Sequence, residues 1–100
     1  MKSINDTARE KDMPILSMFL GMIIRMYCGQ SEHNPPHFHV EYQDINATVD
    51  IKKCKVIKGK LPTRQKKLIE AWAELHQEDL LANWKIASQG EIPFRIKPLE

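Results

Sequence analysis

From Leu20 to Tyr27 the chain alternates. Leu20, Met22, Ile24 and Met26 fall on one side, and Gly21, Ile23, Arg25 and Tyr27 on the other, the period of two that a strand imposes. The stretch "CGQSEHNPP" then breaks the pattern with a glycine, a serine, an asparagine and two prolines. Alternation resumes at His37, with Phe38, Val40 and Tyr42 on the apolar face and His37, His39 and Glu41 on the polar one. After "QDIN" it continues through Ala47, Val49 and Ile51. A hairpin with Asp44-Ile45 as its two-residue loop brings these runs into register. It sets Tyr42 opposite Ala47, Val40 opposite Val49 and Phe38 opposite Ile51. The same register sets Glu41 opposite Thr48, His39 opposite Asp50 and His37 opposite Lys52.

Cys54 to Ile57 predicts a further short strand, ended by "KGKLP". From Pro62 or Thr63 the period changes. Ile69, Trp72, Ala73, His76, Leu80, Trp84 and Ala87 recur at helical spacing and form one apolar stripe. The span to Gln89 is either one helix or two, the second opening on Glu78 and Asp79 after a break between His76 and Asp79. Gly90 and Pro93 stop it, and "IPFRIK" predicts an edge strand with Phe94 and Ile96 inward. The fold class is therefore α+β, a small antiparallel sheet of three to five strands packed against one broken helix or two short ones.

One hundred residues set the scale of a single domain. The polar start, "MKSINDTAREKD", predicts an N-terminal extension over residues 1–12, with the domain running over 13–98. The apolar stretch from Ile15 to Ile24 is too short to span a bilayer and contains Ser17 and Gly21, so no membrane association is expected. Cys28 and Cys54 form no CxxC pair and point to a reducing, cytoplasmic setting. A chain this small has a thin core, which makes a homodimer an expectation worth carrying.

Charge changes the picture through its distribution. The net charge is only +2, yet from Lys52 to Lys67 every charged residue is basic. Lys52, Lys53 and Lys55 head this patch as candidate nucleic-acid contacts. The alternative is a solvated edge whose lysines discourage sheet-to-sheet pairing.

The candidate chemistry sits in "HNPPHFH". Alternate strand residues face the same way about 6.5–7 Å apart, so His37 and His39 can turn both imidazoles toward one divalent ion. Glu41 would supply an oxygen, and His33 would fold back across the two prolines. Asp50, opposite His39 in the expected register, would orient that imidazole. A metal-free set also exists, with a histidine as acid–base, Glu41 or Asp50 as its partner and Arg25 as an anion clamp. The plain structural alternative is a turn and a polar sheet face.

The runs "MPILSMFLGMIIRMY", "HNPPHFHVEY", "GKLPTRQ", "WAELHQEDLLANW" and "GEIPFRIKPL" resemble the bacterial family catalogued as domain of unknown function 4160, from about Met13 to Leu99. The resemblance implies no assigned catalytic residue. Its members are often encoded beside another small domain, which implies a toxin–antitoxin-like interaction module that binds a cognate protein, with nucleic acid as a further partner. The competing expectations are a metal- or histidine-dependent phosphodiester hydrolase using the His37/His39/Glu41 face, and a purely structural partner domain.

Overall fold

The computed structural model of the protein describes residues 12–29 and 34–100. Five strands come first: β1 (Ile15–Phe19), β2 (Met22–Arg25), β3 (His37–Tyr42), β4 (Ile45–Asp50) and β5 (Lys55–Lys58). Two helices follow, α1 (Thr63–Leu75) and α2 (Gln77–Ser88). The strands form one antiparallel meander in chain order, so the fold is α+β, as expected. Of the expected extension over residues 1–12, all but Asp12 lies outside the described residues.

The single strand expected from Leu20 to Tyr27 is instead the end of one hairpin. β1 and β2 meet at Phe19 and Met22 across a Leu20-Gly21 loop. Both loop residues have positive φ, 51° at Leu20 and 79° at Gly21, the twist a two-residue hairpin requires. The inward set survives this correction, because Met22, Ile24 and Met26 are all buried.

The β3–β4 hairpin forms, but its loop is Gln43-Asp44, and Tyr42 pairs with Ile45. Gln43 takes the left-handed turn conformation at φ 54°. The expected register was two residues out. A shift of two keeps every side chain on its face, so Phe38, Val40, Ala47 and Val49 still meet in the core. The polar neighbours do change: His37 lies opposite Asp50, and His39 opposite Thr48. Ile51 leaves the hairpin, stays buried, and donates its backbone N–H to Pro36 O at 3.0 Å.

The predicted short strand is β5, one residue later than expected and joined to β4 through an irregularity between Thr48 and Val49. The helical stretch breaks at His76, and Glu78 and Asp79 occupy the first turn of α2, where carboxylates suit the helix dipole. Ile69, Trp72, Ala73, Leu80, Trp84 and Ala87 are buried, as the stripe predicts. Trp72 anchors α1 on the inner sheet face, its ring 5.4 Å from Phe19 and 5.7 Å from Phe38. α2 instead lies past one end of the sheet. Gln77 Nε2 donates to Ile51 O and Lys52 O at its start, and Gly29 N donates to Ala87 O near its finish.

"IPFRIK" is not a strand. Buried Asn83 clamps the backbone of Phe94 with two hydrogen bonds, 2.8 and 3.0 Å, and Ile96 N donates to Leu16 O at 2.8 Å beside β1. This geometry buries Ile96 but turns Phe94 outward, contrary to the expected inward pair. No helix among the described residues is long and apolar enough to cross a membrane.

Candidate functional site on the outer sheet face

Because Phe38 and Val40 are drawn into the core, alternation sends His37, His39 and Glu41 to the outer face. Directly opposed residues share a face, so the pairings assemble this surface in rows. One row runs Arg25, His39, Thr48, Lys58 across four strands. A second runs His37, Asp50, Lys55, and a third Ile23, Glu41, Asn46. Arg25, whose face relative to the histidines the sequence left open, is thus on the histidine face.

The imidazoles lie close, with ring centroids 5.2 Å apart in a T-shaped arrangement. His37 also packs against Trp84 of α2 at 5.1 Å. Its Nδ1 lies 2.8 Å from Pro35 O, and since a carbonyl only accepts, Nδ1 is the donor. Burial, then the neighbouring His37 ring and the Lys58 ammonium, push His39 below the ordinary imidazole range. His39 is therefore held neutral, a proton acceptor flanked by cations.

The carboxylates are committed elsewhere. Glu41 Oε2 lies 3.4 Å from Arg25 Nε, and Arg25 also donates to Met13 O at 2.8 Å. Asp50 Oδ1 accepts the Lys53 backbone N–H at 2.8 Å and so closes the turn after β4. It lies opposite His37, not His39, so its expected role of orienting His39 is replaced by a structural one. Among the described residues no three His, Cys, Asp or Glu side chains converge as a metal site, and His33 lies outside those residues. His37 and His39 are the two described groups that could hold an ion.

Lys52 and Lys53 are exposed in the turn before β5, and Lys55 lies 3.9 Å from Glu70. Cys54 is buried and Cys28 half-buried, both thiols are free, and burial raises both above the ordinary thiol range. Sequence reasoning missed Thr48, Lys58 and Trp84 as neighbours of the histidines. The alternation of β4 placed Thr48 on this face, but Lys58 shares its parity with Val56, which pairs with buried Val49, and it joins the row only through the irregularity between Thr48 and Val49.

The row pattern changes character toward the β1–β2 turn. Met18 lies opposite Ile23 on the outer face and is 52% exposed, and Leu20 at the turn is 47% exposed. Beside them a depression of about 430 Å³ is lined by Gly21, Ile23, Glu41, Gln43, Asp44 and Asn46.

No curated protein and no solved structure matches the chain. A family model described as a domain of unknown function, DUF4160, matches residues 21–85, from the β1–β2 turn through the histidine-bearing β3 and into α2. That span takes in all of the outer-face rows and more than half of the sequence, and the chain belongs to the DUF4160 family.

Proposed function

We propose that the protein is a small interaction module of toxin–antitoxin type, binding a cognate protein at the hairpin end of its outer sheet face. The observation that carries this reading is the Met18–Ile23 pair. An outward strand position is normally polar when it faces water, yet two large apolar side chains stand side by side there, with Leu20 next to them. The adjoining depression carries Asp44 and Glu41. A partner that fits would bring one apolar anchor to cover Met18 and Ile23, flanked by a basic residue for Asp44. Members of the family that the chain resembles are often encoded beside another small domain, so a small protein encoded alongside is the first candidate to try.

The test is titration calorimetry with that neighbouring protein. Met18→Lys and Ile23→Lys should each weaken binding at least about tenfold, the usual effect of a charge at an interface centre. Leu75→Lys, at the exposed end of α1, should leave it unchanged. Equal affinity for all three variants would overturn the assignment.

A second reading is supported by the Arg25–His39–Thr48–Lys58 row. A neutral imidazole between two cations is suited to take a proton from a ribose hydroxyl while Lys58 steadies the phosphate. This would make the protein a histidine-dependent phosphodiester hydrolase. Cleavage of a labelled RNA that disappears in His39→Gln, with the fold intact by circular dichroism, would establish it. Undiminished cleavage in that variant would remove it.

A further inference from the structure

The basic residues between Lys52 and Lys67 are brought together on one side of the fold. β5 runs from Lys55 to Lys58, the chain turns at Gly59, and α1 returns alongside, so that Glu70 reaches Val56. Between strand and helix lies a cleft of about 550 Å³ whose charged lining is Lys58, Lys60 and Lys66, with Thr63 beside them. All three lysines are exposed. Lys52 and Lys53 carry the charge on at the start of β5, and no acid stands in the first turn of α1.

The turn that presents this cleft is built without tolerance. Gly59 has φ 88°, and a Cβ there would strike the Asn46 carbonyl and the Ala47 backbone. The loop is pressed against β4, which fixes where Lys58 and Lys60 project.

An edge-protecting role does not account for this patch. The outward N–H of Val56 is already taken by Glu70 Oε2 at 2.9 Å, so the edge of β5 is blocked by a carboxylate. Arg64, Lys66 and Lys67 lie on a helix, where no edge needs protecting. A protein partner is also a poor fit, because protein interfaces favour aromatic residues and arginine and are depleted in lysine. A phosphate backbone fits well. Lysines bind it as mobile point charges, and release of counterions supplies the affinity.

We infer that the cleft between β5 and α1 is a nucleic-acid site, in which Lys58, Lys60 and Lys66 contact backbone phosphates. It is separate from the proposed protein-binding surface at the β1–β2 turn, and each stands or falls alone. The site reads charge and not sequence, since no aromatic side chain lines the cleft to stack a base.

The test is fluorescence anisotropy of the full chain with a short labelled RNA strand and with a DNA duplex, between about 50 and about 200 mM salt. Three phosphate contacts should give a log–log salt slope of about −2 to −3. Lys58→Gln/Lys60→Gln/Lys66→Gln should abolish most of that slope and weaken binding at low salt at least about tenfold. Lys85→Gln/Lys97→Gln, both exposed and away from the cleft, should bind as the parent does. Because all the substituted side chains are exposed, the variants should melt with the parent. Absence of binding at low salt, or a triple variant that binds like the parent, would overturn the site. Equal, lysine-dependent binding of a glutamate-rich peptide would overturn its assignment to nucleic acid.

Discussion

Ser17 is the residue that the fold treats worst. It is buried at 2% exposure, and its Oγ has no hydrogen-bond partner among the described residues. An unsatisfied buried hydroxyl costs about 1–3 kcal/mol. Ser17→Ala should therefore raise unfolding free energy by about 1 kcal/mol in urea titration, and an unchanged midpoint would show that the hydroxyl is satisfied in solution. His39 makes a prediction in pH. Its folded pKa is lowered, so the unfolded chain takes up a proton first as pH falls. Stability contributed by the neutral ring is complete above the ordinary histidine range near ~6.5 and is lost progressively below it. Thermal melts from neutral to mildly acidic pH should show this decline, and His39→Gln should flatten it. At this scale the site was partly legible. Alternation alone put His37, His39 and Glu41 on one face, but it could not say which face Arg25 shared. That depends on how β2 pairs with β3, and the loop between them carries no periodic signal. The pairing also consumed two candidates, because Glu41 meets Arg25 and Asp50 closes a turn.

Among the elements, the two hairpins show why pattern fixes faces better than register. In β3–β4 a slip of two residues leaves the apolar face intact, so Phe38 and Val40 fit either partner set. What decides between them is the conformation at Gln43, a residue with no strong turn preference. In β1–β2 the alternation of Leu20, Met22 and Ile24 ran across the turn and concealed it, and Gly21 was the only signal of the reversal. The helices were legible because charge and period agreed, with acids opening α2 just after the stripe passes His76. Two substitutions test how the last strand is held. Gly59→Ala combines positive φ with a backbone clash and should destabilise by at least about 2 kcal/mol, read by chemical denaturation. Parent-like stability would mean the loop moves freely off β4. Glu70→Ala frees the Val56 N–H and should cost about 1–2 kcal/mol. It also uncovers a strand edge, so light scattering should show association that rises with concentration and is absent from the parent.

For the whole molecule, the fold separates three surfaces that the sequence interleaves. The inner sheet face is closed by α1 and the segment around Ile96, while the outer face carries the histidine rows and, at its hairpin end, the Met18–Ile23 pair. The lysines gather at the β5 edge and the start of α1, with Lys58 standing both in the His39 row and in the cleft. A net charge of +2 conceals this polarity, since the acids lie mainly on other surfaces or in pairs such as Glu41–Arg25 and Glu70–Lys55. Charge clustering was legible in the sequence. The apolar pair was not, because Met18 and Ile23 become neighbours only once the turn at Leu20-Gly21 folds them together. The central claim, a cognate protein seated on that pair, is tested most directly by titrating isotopically labelled protein with the small protein proposed as its partner and following backbone amide resonances. Shifts concentrated at Met18–Ile23 and Gln43–Asn46, with the β5–α1 cleft unmoved, are the expected result. Shifts confined to other surfaces, or none at saturating partner, would contradict it.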